Sequence, residues 1–347
     1  MKVALITDTH YNFKKANKNF HEYFAKFYSN IFFPYLKKHN IKTVIHCGDA
    51  FDSRKGVDYW ALDWAKENVY DKFLEYGITV YSIVGNHDTY YKNTNEVNSI
   101  NILLNEYSNI IKISSPMEFR IGELDFLFLP WICADNQEES YSMIKSTKAK
   151  IVFGHLELNG FPVFPGQTQP NGIDKSIFSK FTRVFSGHYH TRSDDGKIFY
   201  LGNPYQMFWN DCNDVRGFNI FDTETLKLKH IPNTYNIFEK IYYKDSDLNE
   251  LDKFDLRDKF VKLIVQNKKD QKQYDKFLDK ILSMKPLDLK ISEILDIDDS
   301  NYQYQDYDVE DTLSILNSYI EESEFDLDKK IAKQIIKDVY LEAMEVE

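Results

Sequence analysis

Five times in this chain a short apolar run that reads as a β-strand stops at a cluster of Asp, Asn and His. Asp8 and His10 follow residues 3–6, Asp49 follows 43–46, and Asn86 and His87 follow 79–84. His155 follows 150–153, and His188 and His190 follow 183–185. The run 79–84, Thr-Val-Tyr-Ser-Ile-Val, is β-branched and aromatic, as a buried strand requires. Gly85-Asn86-His87-Asp88 comes next, and Gly85 allows backbone angles that a side chain would forbid. In layered α/β folds, ligands gather just past the carboxyl ends of strands. One such cluster is explained equally well by a polar turn carrying a solvated histidine. Five are not, and five of the nine histidines lie in them, with His46 just ahead of Cys47.

The rest of the chain is arranged around these junctions. Residues 14–39 predict a helix with Phe20, Phe24, Phe27 and Ile31 on one face, which Pro34 should kink or end. Residues 58–76 predict a second helix closed by Gly77. Strand, helix, strand, helix, strand is the grammar of parallel pairing. After residue 110 the rhythm changes to short strands at 110–113, 119–121, 124–129, 150–153, 183–185, 197–201 and 218–221. A second sheet packed on the first is the natural reading. Residues 157–175, rich in Gly and Pro, read as a long irregular loop.

A domain boundary is expected near 236, which places a main domain over 1–236. Residues 237–295 then form a small α+β unit with strands near 237–243 and 259–265 and a helix near 270–284. Residues 296–347 are an acidic linker followed by helices near 309–321 and 327–344. Leu313, Leu316 and Ile320 make an apolar stripe on the first helix, and Ile331, Ile335 and Val339 on the second. Two short helices past an acidic linker need either the main body or a partner groove to cover those stripes.

Composition sets limits on function. A content of 43% hydrophobic and 16% aromatic residues supports a sizeable core. No apolar run approaches the ~18 residues of a membrane span, and the amino terminus has no signal-peptide pattern. Cys47, Cys133 and Cys212 are odd in number and widely spaced, which argues against a disulfide framework or a cysteine zinc site and fits a reducing cytoplasm. The net charge of −11 is uneven: residues 291–347 hold 17 acidic and 4 basic side chains, leaving +2 on the remainder. An acidic total of this kind does not exclude a nucleic-acid ligand, and a near-neutral main body does not announce one.

Carboxylates, imidazoles and one amide, with no thiolate, suit Mn²⁺, Fe or Zn²⁺ in a mixed oxygen and nitrogen shell. Asp8, His10, Asp49, Asn86, His155, His188 and His190 are too many ligands for one tetrahedral ion. Two ions about 3.5–4 Å apart are implied. Asp49 lies between the other ligands in chain order and is the natural bridge.

The ordered set Asp8-x-His10, Gly48-Asp49-x-x-Asp52, Gly85-Asn86-His87-Asp88, Gly154-His155 and Gly187-His188-x-His190 resembles the signature of calcineurin-like metallophosphoesterases. Within that superfamily the chain resembles the SbcD-type nucleases of DNA double-strand-break repair, and most of all the nuclease subunits of T-even bacteriophages. Leu129-Pro130-Trp131, Tyr200-Leu201-Gly202-Asn203-Pro204 and Asp214-Val215-Arg216-Gly217-Phe218 add to the likeness, which is close over roughly 1–235.

The resemblance implies a two-sheet α/β sandwich flanked by helices, with a small capping and DNA-contacting domain. It implies two Mn²⁺, with Mg²⁺ or another divalent ion as substitute. Asp8, His10, Asp49 and His190 would hold one ion, and Asp49, Asn86, His155 and His188 the other. It also implies DNA as substrate, a homodimer, and a coiled-coil SbcC-type ABC ATPase held by the C-terminal helices. His87, adjacent to Asn86, is placed to donate a hydrogen bond or proton at the leaving oxygen. Asp88 and Asp52 would orient His87 and the nearby loop, unless they are ordinary turn residues. Lys14, Lys15, Arg54, Lys55 and Arg192 are candidate phosphate contacts, and Phe51 and Tyr189 either touch nucleic acid or wall the pocket. A phosphoprotein phosphatase, a cyclic-nucleotide phosphodiesterase and a non-catalytic repair scaffold are the alternatives, because a fold alone does not set the substrate.

Overall fold

A computed structural model of the protein describes residues 1–164, 167–169, 172–293, 320 and 328–344. The chain divides into two compact units, Met1–Ile294 and Leu295–Glu347. In the first, two six-stranded sheets lie face to face. Lys2–Ile6, Thr43–His46, Thr79–Ile83 and Ile110–Ile113 run parallel in that order. Gly217–Asp222 pairs antiparallel with Lys2–Ile6 and is edged by Leu228–Pro232. In the second sheet Ile198–Tyr200, Arg183–Gly187, Ile151–His155 and Leu124–Leu129 are parallel. Ser193–Asp194 and Met117–Ile121 close its two edges antiparallel.

The alternation of side chains along a strand separates the layers. Val3 and Leu5 enter the core between the sheets with Phe126, Phe128, Phe153 and Phe185. Ala4 and Ile6 face the helical layer with Phe24, Phe27 and Phe32. Phe24 stacks on Tyr205 with centroids 3.7 Å apart. The helix Gln137–Ser146 covers the outer face of the second sheet through Ile144, against Val152 and Val184. The result is an α/β two-sheet sandwich flanked by helices.

Two local expectations need correction. The predicted helix 14–39 starts at Lys18, because Asn12, Lys14, Lys15 and Ala16 all have left-handed φ angles. Asn17 caps it by accepting from the Asn19 N–H at 3.1 Å, a contribution of about 1 kcal/mol. Pro34 does not end it. A wider π turn at Tyr28–Phe32 precedes Phe33–Lys38, so the proline enters at the start of a new segment, where its missing N–H costs little. The stretch 157–175 is not irregular throughout, since Pro162–Phe164 pairs with Gln167–Thr168 and Leu158 bridges to Ile173.

Phe238–Lys244, Phe260–Asn267 and Asp288–Glu293 form a parallel three-stranded sheet with its own core under the helix Gln271–Ser283. It belongs to the first unit, and Phe260 stacks on Phe20 of the main body at 5.4 Å. In the second unit the helix expected at 327–344 runs Lys329–Met344, with Ile331, Ile335 and Val339 exposed. The helix expected at 309–321 lies outside the described residues, apart from Ile320. Among the described residues no helix is long and apolar enough to cross a membrane.

Candidate metal centre

Parallel strands release their loops at one edge, and the five clusters meet there. The backbone is strained where they do. Asp8, His10, Asp49 and His188 adopt φ of 50°, 44°, 55° and 89°. Such angles cost on the order of 1–3 kcal/mol per residue and persist only where the surroundings over-determine them. Two glycines are needed for space. A Cβ on Gly48 would overlap the His155 imidazole, and one on Gly85 would overlap the Asp49 carboxylate.

Five of the seven expected ligands are buried, and His188 and His190 are half-buried. Asp8 Oδ1, His10 Nε2 and His190 Nε2 face one another: the two nitrogens are 3.1 Å apart, and His190 Nε2 is 4.0 Å from Asp8. Asp49 Oδ2 lies 3.9 Å from His10 Nε2 and 3.3 Å from His155 Nε2, between the two halves of the cluster. On the far side Asn86 Oδ1 is 2.8 Å from His155 Nε2 and 3.1 Å from His188 Nδ1. Asp8, His10 and His190, and separately Asp8, Asp49 and His155, keep one donor atom each within 4.8 Å of the others. His10, Asp52 and His87 do so as well.

A family model, the calcineurin-like phosphoesterases, matches residues 1–192, more than half of the chain. The chain belongs to the calcineurin-like phosphoesterases. Exonuclease subunit 1 of Enterobacteria phage T4 is 31% identical over 312 residues, 89% of this chain and 90% of that one. Among solved structures, an archaeal phosphodiesterase is 16% identical with a TM-score of 0.36, covering 67% of this chain and all of that one. A protein of unknown function from Aquifex aeolicus is 16% identical with a TM-score of 0.25, over 44% of this chain and 79% of its own.

The family's divalent metals fit the donor set found here. The His155 Nδ1–H donates to the Cys47 carbonyl at 2.8 Å, so a neutral ring turns its bare Nε2 toward Asn86 Oδ1 and Asp49 Oδ2. His10 holds Nδ1 3.1 Å from the Asp52 carboxylate and turns Nε2 to His190. Acceptors facing acceptors are repulsive unless a proton or a cation lies between them. In the metal-free protein it is a proton. Burial pulls the pKa of His10 down, but the hydrogen bond to Asp52 and the charges of Asp49, Asp52 and Asp8 lift it to about 9. Burial likewise opposes the charge of His155, and Asp49 outweighs it, again to about 9. Asp49 is also disfavoured as an anion by burial, yet His155, His87 and His10 hold it well below the usual carboxylate range. Burial raises Asp8. Burial, with His155 nearby, drives His188 down to about 3, and burial with His10 lowers His190, so both rings stay neutral and able to bind a metal.

The supporting residues of this phosphoesterase are less visible in sequence. The His87 Nδ1–H donates to the Asp52 carbonyl at 2.7 Å, which leaves Nε2 outside that contact, and its backbone N–H donates to Asp49 at 2.8 Å. Asp88 binds the N–H groups of Gly85, Ala50 and Phe51 and the hydroxyl of Ser99, so it braces the loops that carry Asp49 and Asn86. Burial raises its pKa to about 6. His46 joins the first two loops, with Nε2 3.0 Å from Thr9 Oγ1 and Nδ1 accepting from Gly48 N–H. Trp131 lies against His188, 5.2 Å between centroids. Sequence names His87, Asp88, Asp52 and Trp131 and marks His46 beside Cys47, but the partners of each come from the fold.

Proposed function

We propose that this chain is the nuclease subunit of a recombination and double-strand-break repair complex, a Mn²⁺-dependent DNA exonuclease and endonuclease. The convergence of Asp8, His10, Asp49, Asn86, His155, His188 and His190 from five separate loops carries the reading. Similarity to exonuclease subunit 1 of phage T4 over nine-tenths of both chains supports the substrate class.

Asp8, His10, Asp49 and His190 would hold one divalent ion, and Asp49, Asn86, His155 and His188 would hold the other. When bound, such a pair supplies neutralisation of phosphate charge and acidification of the attacking water. The chain itself fixes the donor atoms before substrate arrives, through the Cys47 carbonyl on His155 and the Asp52 carboxylate on His10. His87, held through Nδ1–H, would in its doubly protonated form give the Nε2 proton to the leaving oxygen and remain as the neutral ring. Lys14, Lys15, Arg54, Lys55 and Arg192 contact flanking phosphates.

The test is degradation of end-labelled duplex DNA with Mn²⁺ against Mg²⁺, beside cyclic nucleotides and phosphopeptides. Cutting of the small substrates alone defeats the proposal. The partner is a coiled-coil ABC-type ATPase, docked on the C-terminal helices, where Ile331, Ile335 and Val339 are exposed. Deleting residues 305–347 is expected to leave cutting of simple DNA substrates intact while abolishing co-purification with the ATPase. A truncated chain that binds the ATPase with unchanged affinity refutes that docking site. Pairing into a homodimer rests on the family resemblance.

A further inference from the structure

His190 differs from the other ligands in how it is held. Like His188 it is half-buried, and among the described residues its ring meets His10 Nε2, Asp8 Oδ1 at 4.0 Å and the face of Phe208, 6.3 Å away and nearly parallel. Its main chain is gripped instead. The His190 carbonyl accepts from the Arg216 guanidinium Nη1 and from the Asn203 N–H at 3.3 Å. The same Nη1 donates to Asn203 Oδ1, while Nη2 reaches Asp211 Oδ1 at 2.7 Å and Asp214 Oδ2 at 2.9 Å. Asp211 in turn accepts with Oδ2 from the N–H groups of Met207 and Phe208 at 2.7 and 3.0 Å. One buried ion pair therefore controls both the backbone of His190 and the ring beside its imidazole. Gly202 closes the arrangement. Its φ is 71°, and a Cβ there would come within 2.9 Å of the His190 carbonyl oxygen.

Arg216 is buried, with its side chain 4% exposed, and its fork is divided among four oxygens from four residues. A buried charge pair is weak evidence for stability alone, since an apolar pair of similar volume often serves as well. Planar, directional contacts to a ligand's carbonyl are a better reason for an arginine here, because an ammonium is a point charge without the fork. We propose that Arg216 is the positioning residue for His190, and that through it the Arg216–Asp211–Asp214 cluster sets the affinity of the ion site built from Asp8, His10 and His190. The site containing Asn86, His155 and His188 is independent of it. This rests on the reading of His190 as a ligand.

The experiment is titration of the metal-free full-length protein with Mn²⁺ alone, followed by calorimetry, with thermal melting of each variant as the folding control. His190→Ala is run in parallel. Two binding events are expected in the natural sequence. Arg216→Gln is expected to weaken one of them by about 10–100-fold, the range typical of groups that orient a metal ligand, and to leave the other within about twofold. Arg216→Lys should recover only part of the loss. A folded Arg216→Gln protein with both affinities unchanged overturns the proposal. If His190→Ala also leaves both events unchanged, the ligand reading itself has failed. Loss of one event in His190→Ala but not in Arg216→Gln sinks the positioning role alone. Should Arg216→Gln melt below the titration temperature, Asp214→Asn decides. That change loosens the guanidinium without emptying the buried site and should weaken the same event several-fold, and unchanged affinities in it overturn the proposal.

Discussion

Two buried charged clusters meet at His190, and they are built on opposite principles. Around Arg216, donors point at acceptors: Nη1 serves a carbonyl and an amide oxygen, and Nη2 serves two carboxylates. Around Asp49, acceptors point at acceptors: His155 Nε2 faces Asn86 Oδ1 and Asp49 Oδ2, and His10 Nε2 faces His190 Nε2. The first cluster pairs both terminal nitrogens of the guanidinium with protein atoms alone and leaves its Nε without a partner. The second is complete only when protons or cations enter it, and it carries the left-handed backbone of Asp8, His10, Asp49 and His188. Burial of charge does not distinguish a working site from a structural one. The direction of the donors does.

The strongest test of that contrast is Asp49→Ala. It removes the carboxylate that, alone among the described residues, lies within 4 Å of both His10 and His155. Loss of a single charge-stabilising group at a reacting centre costs about 10²–10³ in rate, so loss of a bridge should exceed about 10³-fold in DNA cleavage. Near-normal cutting and Mn²⁺ uptake by the purified variant would show that the cluster does not depend on its centre.

His87→Ala should lower turnover by about 10²–10⁴-fold with both Mn²⁺ affinities retained, as the proposed general-acid role requires. His10, Asp52 and His87 also lie within metal-binding reach of one another. A loss of metal content in this variant would therefore move His87 into the ligand set.

Asp211→Ala addresses the Arg216 cluster. Breaking a buried pair leaves an uncompensated charge and costs about 3–5 kcal/mol. Denaturant unfolding should show that loss with metal absent and metal present alike. A cost below about 1 kcal/mol would mean that Asp214 and the His190 carbonyl suffice for Arg216.

The smallest effect is a proton count. His10 and His155 are lifted from 6.5 to about 9, so the stability they contribute is full below pH 6.5 and fades as pH rises through 9. An entering ion must displace those protons. Calorimetry near pH 7.5 in buffers of different ionisation enthalpy should record about two protons released as both sites fill. Release of none would place neutral rings in the metal-free site and remove the asymmetry between the clusters.

Much of this protein is legible in its sequence, for reasons that are local. Alternating and continuous apolar runs mark the strands, because side chains on a strand alternate faces whatever lies beyond it. The ligand types are local as well, since a run such as Gly85-Asn86-His87-Asp88 names its chemistry without help from its neighbours. The first helix starts at Lys18, rather than residue 14, because the chain through Lys14 and Lys15 takes left-handed angles. Pro34 is tolerated because a π turn ahead of it absorbs the lost hydrogen bond. Neither is a matter of propensity.

The partners of each polar atom were decided by tertiary structure alone. His10 meets His190 across 180 residues, His155 meets Cys47 across 108, and Ala50 meets Asp88 across 38. In sequence Arg216 is part of the run Asp214–Phe218 that adds to the family likeness, with no role attached to it, and in the fold its guanidinium holds the carbonyl of His190. Spacing along a chain reports which side chains share a face of one element. It carries no information about the direction in which a donor points once two sheets have packed, and in this protein that direction separates the brace from the site.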